Sequence, residues 1–442
     1  MFYLIIVLFI LGFVAIAFEQ NLPVDKAAIA LITGALIWVC IAFGGDTMEV
    51  AHNELTGHLG RIGELLFFLL GVMTIVEIIE SHGGFNLFAK IITTTKKVLL
   101  LWIFSFLAFF LSAVLDNLTI TIVIITLMWK FVGSNSMRCL FAGMIVIAAN
   151  AGGAWSPIGN VTTILLWIGG QVSAWNIILQ LFVPSLICML VPLIILSLGL
   201  KGETVPQSHA DCTKSSVPTT DRERRMILLT GIGGLLLVPV FSSFTHLPPY
   251  MGVMLVLSIL WMMIERLHRK KKNEFKLRLT LDKILKKIDT PTIFFFLGIL
   301  LAVSGLNSAG HLYLAGNFLN EKVHNIYAIN LIIGTLSSVV DNVSLVAGAM
   351  GMFDIVSPDA WTAISNPVQA AYLKNFVVDG SFWELLAYSA GTGGSILIIG
   401  SPAGVAAMGF AKIDFKWYLK KISWLALAGF LSGFAVYCLI VK

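Results

Sequence analysis

Apolar runs of about 17–25 residues, the length at which a helix crosses a bilayer, recur along the whole chain with short polar breaks between them. Spans are predicted over 1–18, 26–43 and 61–80, and again over 226–242, 248–265 and 291–307. The short alternating strands of a closed barrel, the other way to satisfy backbone groups in lipid, are missing. The pattern predicts an all-α polytopic membrane protein. Two runs depart from it. Ser112–Leu127 reads SAVLDNLTITIVIITL and Ser337–Gly348 reads SSVVDNVSLVAG, each with an Asp-Asn pair inside otherwise apolar sequence.

The halves of the chain repeat one another. At an offset of 227, 66–84 and 293–311 share 7 identities in 19 positions: Phe67/Phe294, Phe68/Phe295, Leu70/Leu297, Gly71/Gly298, Val76/Val303, Ser81/Ser308 and Gly83/Gly310. At an offset of 225, SAVLDNLT lies on SSVVDNVS, and GGAWSPIGN (152–160) is echoed by GGSILIIGSPAG (393–404), with the second copy longer before its Ser-Pro. Three collinear matches imply homologous halves, 1–200 and 226–442, joined by a linker at 201–225. Duplicated halves are typical of secondary transporters.

Composition and charge orient these elements. Of the 442 residues 58% are hydrophobic and 12% charged, with a mean hydropathy of +0.92, where a soluble protein carries about 25% charged residues. Cys40, Cys139, Cys188, Cys212 and Cys438 are scattered with no CxxC pair, which supports neither a metal site nor a disulfide framework. The net charge of +5 is bunched in loops and gives no sign of nucleic-acid binding. Ten Lys and Arg residues between Arg266 and Lys287, and Lys201, Lys214, Arg222, Arg224 and Arg225 in the linker, mark these loops as cytoplasmic. The acidic loop with Asp46, Glu49 and Glu54 then falls outside, as does the one with Asp354, Asp359 and Asp379. The first run, MFYLIIVLFILGFVAIAF, carries Ala15-Ile16-Ala17 like a signal-peptide cleavage site, but it lacks a basic start and the repeat needs it as a span.

Residues 99–133 begin and end beside basic residues (Lys96, Lys97, Lys130, Arg138) and are polar at the centre. A re-entrant hairpin from the cytoplasm, turning at Asp116-Asn117, satisfies both facts, against one long tilted helix or two full spans. The second hairpin, 325–350, enters from outside, as inverted-topology repeats require. Each half then holds five spans and a hairpin.

Each half gathers polar groups near mid-bilayer. The tips supply Asp116, Asn117 and Thr119, or Asp341, Asn342 and Ser344. The Gly-rich segments ANAGGAWSPIGN (149–160) and AGTGGSILIIGSPAG (390–404) interrupt the helical hydrogen-bond ladder and free carbonyls, which is tolerated at that depth only beside a cavity or ligand. Small hydroxyls and amides complete the set: Ser112, Asn150, Ser156, Asn160, Ser337, Thr392, Ser395 and Ser401. Oxygens of these kinds suit a hard cation of the sodium type, and no Lys or Arg of the apolar segments stands beside the aspartates. A buried Asp costs about 2.5–3.5 kcal/mol on insertion scales. Asp116 as a helix N-cap for the Thr119 amide explains part of its placement, but Ser or Asn would cap without bringing charge. Desolvation favours the neutral acid and a helix N-terminus favours the carboxylate. A group balanced between them holds either a proton or a cation, so two ligands compete for one site. Asp116, Asp341 and, on the third span, Glu77 are the candidate proton carriers. Glu64 and Glu80 stand nearer predicted span ends.

The stretches LDNLT, FFLLGVMTIVEIIE, ANAGGAWSPIGN and VDN resemble the NhaD-type sodium/proton antiporters of the ion-transporter superfamily, over nearly the whole chain. The resemblance implies a dicarboxylate-symporter-like elevator fold, with a scaffold from about 1–97 and 226–323 and a transport domain from about 98–200 and 324–442. It also implies a homodimer formed through the scaffold, lying among lipids of a bacterial-type inner membrane. No cofactor is implied; sodium or lithium is the substrate. Dicarboxylate symporters of the superfamily carry Ser-Asn-Thr at both tips, and the Asp-Asn pairs here suit a cation without an anion. Asn150 and Ser156-Pro157 match the first broken span and Ser401-Pro402 the second. Because Gly391 and Thr392 stand in place of Asn150 and Ala151, the first cluster, with Asp116, Asn117 and Asn150, is the favoured sodium site. A sodium-coupled symporter of a small anion such as a dicarboxylate is the alternative. An intramembrane aspartyl protease is a distant one, since its Gly-x-Gly-Asp motif is missing.

Overall fold

The computed structural model describes residues 2–17, 24–44, 48–92, 94–200, 219–269, 281–357 and 366–441. Asp46, Lys201, Cys212, Lys214, Asp359 and the loop lysines 270–272 and 276 with Arg278 lie outside them. The secondary structure of the described residues is almost wholly helical, and eight of their helices are long and apolar enough to cross a membrane. This is an integral membrane protein.

The first half begins with α1 (Phe2–Ala17), α2 (Lys26–Gly44) and α3 (Met48–Ser81), followed by the short α4 (Asn86–Ile91). The predicted 61–80 span is therefore part of a 34-residue helix. Glu49 and Glu54 ride on its first turns instead of in a loop. The apolar period simply continues into a more polar stretch with no breaker between them, and the backbone bonds of a helix do not stop where hydropathy does.

Residues 99–133 form two helices, α5 (Lys97–Ser112) and α6 (Asn117–Trp129), packed against one another around a turn at 113–116. They are neither one long rod nor two full spans. The next span is broken into α7 (Asn135–Ala154) and α8 (Val161–Ile168), and α9 (Ala174–Gly199) closes the half.

The second half repeats that order. It opens with α10 (Asp221–Thr245), started by a capping box of Thr220 and Glu223, then α11 (Pro249–His268), the short α12 (Leu281–Leu285) and α13 (Thr290–Ser308). After α14 (His311–Lys322) comes a second helical pair, α15 (Ile326–Leu336) and α16 (Asn342–Met352), and the short α17 (Pro367–Leu373). A second broken span follows, α18 (Ser381–Gly393) with α19 (Pro402–Ala411), then α20 (Phe415–Lys421) and α21 (Ser423–Ile440).

The helices pack in two groups. α1, α2, α3, α10, α11 and α13 contact one another, while the hairpins, the broken helices, α9 and α21 form the second group. α13 against α16, and α3 against α8, are contacts that join them. The halves also cross over, since α6 packs on α19 and α16 on α8. Each hairpin thus meets the second half-helix of the other repeat.

Small residues allow the closest crossing. α2 and α13 touch where a Cβ on Gly298 would collide with the Ala30 and Leu31 backbones, and one on Gly34 would stand 2.7 Å from the Gly298 carbonyl oxygen. Helices in lipid associate through such close backbone approach. Gly298→Val is expected to lower the stability of the purified protein in detergent by about 1–3 kcal/mol through overpacking, read as a lower thermal unfolding midpoint. Gly57→Ala, where a Cβ meets open space, is expected to hold or raise it.

Candidate functional site: two hairpin tips and a cavity

Both tips are built in the same way. Asp116 is the N-cap of α6, its Oδ2 accepting from the Thr119 backbone N–H at 3.3 Å and the Thr119 hydroxyl at 3.5 Å. Asp341 caps α16, its Oδ2 accepting from the backbone N–H groups of Val343 at 3.1 Å and Ser344 at 3.3 Å, and from the Ser344 hydroxyl at 3.3 Å. The Asp-x-x-Thr/Ser spacing produces both caps, because an N-cap carboxylate reaches the amide three residues on. One residue before each tip turn, a buried hydroxyl ties the hairpin to the adjoining broken helix. Ser112 donates to the Ala149 carbonyl at 2.7 Å and Ser337 to the Ala390 carbonyl at 2.8 Å.

Glycines set the same distance between hairpin and break in each half. A Cβ on Gly152 would strike the Phe109 carbonyl and one on Gly393 the Gly334 carbonyl. A Cβ on Gly153 would stand 2.7 Å from the Gly159 carbonyl oxygen, and one on Gly394 2.9 Å from that of Gly400. These contacts align the breaks residue for residue, and the capping residue follows the second Gly of the pair at equal spacing, Gly153 to Asn160 and Gly394 to Ser401. The second break is not the longer one, and Ser401-Pro402 does not correspond to Ser156-Pro157. Its counterpart is Asn160-Val161: Asn160 caps α8 and Ser401 caps α19. The dipeptide recurs at a different place in the loop, so matching it shifted the register.

Aligned in this way, the tips differ at one decisive position. Asn150 is fully buried and joins the halves: its Oδ1 accepts from Asn117 Nδ2 at 2.8 Å, and its Nδ2 donates to Ser395 Oγ and Ser401 Oγ, both at 2.9 Å. Its counterpart is Gly391. A Cβ there would meet Ala154 at 3.2 Å and Asn160 Nδ2 at 3.4 Å, the positions matching Ser395 and Ser401. Without that side chain, Asn160 Nδ2 and both amide atoms of Asn342 are buried with no hydrogen-bond partner. The first tip has an amide clamp and the second has none.

The remaining predicted residues lie on the periphery of this arrangement. Thr392 donates to the Tyr388 carbonyl within its own helix at 2.6 Å. Ser156 lies inside the break, its Oγ accepting from Ile158 N–H at 3.4 Å, and does not join Asn150. Glu77 is not at a tip. It is paired with Lys287 at 3.1 Å and accepts from Ser81 at 2.7 Å, near the end of α3.

A cavity of about 360 Å³ runs from Lys287, Glu77 and Glu80 past Asp289 and Lys26 to Leu118 and Thr119, with Pro402, Val405 and Phe410 of α19 on its wall. It therefore opens onto the first tip. Two residues that sequence reasoning passed over are charged groups here. Asp289, the exposed N-cap of α13, and Lys26, at the start of α2, both line this cavity with Leu118 and Thr119. The expectation that no basic residue stands near the aspartates is therefore corrected for the first tip. Both residues stand at the starts of predicted spans, where a charge reads as a boundary marker, and only the packing of α2 on α13 brings them to one cavity. A third missed group is Glu384, a buried carboxylate in the first turn of α18, which accepts hydrogen bonds from the Asn176 amide and the Tyr437 hydroxyl and so links α18 to α9 and α21.

Paired helical hairpins, broken helices with half-buried carboxylates at the hairpin tips, and a cavity that opens beside one tip are the architecture of a membrane transport protein. A profile described as citrate transporter, CitMHS, matches residues 6–371. Sodium/proton antiporter 1 of Arabidopsis thaliana is 43% identical over 430 residues, 97% of this chain and 71% of that protein. The Na(+)/H(+) antiporter NhaD of Vibrio cholerae is 32% identical over 453 residues, 96% of this chain and 88% of that protein. NhaD of Vibrio parahaemolyticus is 30% identical over 425 residues, 89% of this chain and 94% of that protein. The chain belongs to the CitMHS family and, within it, to the NhaD-type sodium/proton antiporters.

Asn150→Ala removes the partner of Asn117, Ser395 and Ser401 together and leaves buried polar atoms unpaired, at a cost of about 1–3 kcal/mol. It is expected to lower the thermal midpoint accordingly and to abolish any stabilisation by added sodium. Asn342→Ala removes an amide with no hydrogen bond to lose and is expected to leave the midpoint close to wild type.

Proposed function

We propose that the chain exchanges sodium for protons across its membrane, with cation and proton competing for Asp116. The observation that carries this reading is an open cavity that reaches Leu118 and Thr119 beside the half-buried Asp116, with Asp289 on its wall and the Asn117–Asn150 clamp behind the tip. A carboxylate partly removed from water, with further carboxylates on the adjoining cavity wall, attracts a small cation or a proton. The Thr119 hydroxyl, the Asp116 carboxylate and the carbonyls freed at the helix breaks are hard oxygen donors suited to sodium. Lithium, smaller and equally hard, is the second candidate cation. The relatives named as sodium/proton antiporters support exchange of this kind.

The repeated order of elements and the cross-packing of each hairpin on the other half support an inverted-repeat reading, with hairpins and broken helices moving as one body against α1–α3, α10, α11 and α13. In that reading the second group is the transport domain, the first is the scaffold, and the homodimer forms through the scaffold. With the basic loops cytoplasmic, the cavity beside Lys287 is the cytoplasmic entrance. One observation favours a second reading: the family description names citrate. Glu77, Glu80 and Asp289 outnumber Lys26 and Lys287 on the cavity wall and oppose a tricarboxylate, so sodium-coupled anion uptake is the weaker reading.

Everted vesicles carrying the protein, with an imposed acid gradient inside, decide between them. Added sodium is expected to dissipate the gradient, with lithium as a parallel arm, and labelled citrate is expected not to accumulate. Asp116→Asn is expected to reduce the sodium response to that of vesicles lacking the protein while membrane expression is unchanged; a full response in that variant would remove Asp116 from the mechanism.

A further inference from the structure

The cavity that reaches the first tip has two unlike walls. Glu77 and Glu80 of α3, Lys26 of α2, and Lys287 and Asp289 at the entry to α13 all stand on the first packing group. The facing wall comes from α6 and α19, and among its described residues Thr119 is the polar side chain beside Leu118, Ile122, Pro402, Val405 and Phe410. The charge of this entrance therefore stands on the helices that the proposed movement leaves behind. Within that charged wall one ammonium sits among oxygens. Lys287 Nζ lies 3.1 Å from Glu77 Oε1 and donates to Ser81 Oγ at 2.8 Å, while the Ser81 hydroxyl donates to the same Glu77 oxygen at 2.7 Å. Glu77 and Glu80 are three residues apart on α3 and share one helix face, where like charges repel. The ammonium relieves that repulsion, yet the Lys287 side chain is 59% exposed against 18% for Glu77. An ion pair this exposed is weak and screened by salt, so a dissolved cation can take the place of the ammonium. Glu77, Glu80 and Asp289 stand against Lys26 and Lys287, which leaves the wall one negative charge, and two without Lys287.

We infer that Lys287 is a tethered competitor for entering cations, and that it sets how much sodium half-saturates the protein from the face on which this cavity opens. The inference rests on the exchange reading above and on its cytoplasmic entrance. Charge lining a confined entrance changes the local concentration of a small ion. The ammonium on Glu77 holds that concentration down, and Glu80 and Asp289 hold it up. Because every charge of the entrance lies on one packing group, this effect belongs to one face of the membrane. Lys287 acts through the cations delivered to the first tip and takes no part in the exchange at Asp116.

Everted vesicles present the cytoplasmic face to added sodium and right-side-out vesicles the outer face. The sodium concentration giving half the maximal response is read on both, at alkaline pH where few protons compete for the carboxylate. On the cytoplasmic face Lys287→Gln is expected to lower that concentration about three-fold. Glu80→Gln, which removes an exposed carboxylate from the same wall, is expected to raise it by a similar factor. Lys287→Arg keeps the charge and is expected to match wild type. All three are expected to retain the maximal response and the wild-type half-saturating value at the outer face. Added choline chloride is expected to shrink the differences, since salt screens exposed charge. Both side chains are exposed, which keeps these variants folded. An unchanged value in Lys287→Gln or in Glu80→Gln, or an equal shift at both faces, would overturn the inference and leave sodium exchange standing. No sodium response in wild type would overturn the exchange reading and this inference with it.

Discussion

A half-buried carboxylate set among apolar helices has to be compensated from within the protein, and the architecture around residues 112–160 and 337–401 follows from how this is done. The first compensation is the N-terminus of the returning helix, whose amides and hydroxyl gather on Oδ2 of each aspartate. That requirement places each aspartate at a turn, so the run must fold back on itself there. The turn in turn exposes carbonyls that a neighbouring chain segment has to approach. The glycines of the broken helices make that approach where any side chain would collide, and Ser112 and Ser337 fasten the two together.

Duplication alone would give two equal sites. What separates them is a small number of substitutions at positions that face both tips. Asn150 ties three polar groups from both halves into one cluster, and its counterpart Gly391 leaves the matching amides without partners. The surroundings diverge as well, since the cavity lined by Lys26 and Asp289 reaches Leu118 and Thr119 of the first tip. One tip is thereby clamped and open to a charged cavity, and the other lacks the clamp.

Much of this was legible along the chain. An aspartate followed three residues later by Thr119, with apolar residues on both sides, specifies a cap inside a membrane segment; the Asp116 cap formed where that spacing put it, and Asp341 with Ser344 repeats it. The small hydroxyls were also identified, although Ser112 and Ser337 turned out to fasten backbone and not to project into a site. The alignment of the breaks was misjudged, because a recurring Ser-Pro pair is conspicuous while the controlling feature is the distance from a glycine pair to the next cap. The partner of Glu77 was not legible, because its ion pair with Lys287 depends on a residue more than two hundred positions away.

The amino-acid sequence by itself determined the helices, the duplication and the two capped aspartates, since these depend on hydropathy, on spacing of a few residues and on the cost of a bare charge in lipid. The tertiary structure decided what surrounds each tip. Lys26, Asp289 and Asn150 come to the first tip across helix contacts between segments remote in sequence, and such partners are chosen by distance in space, which local periodicity does not encode.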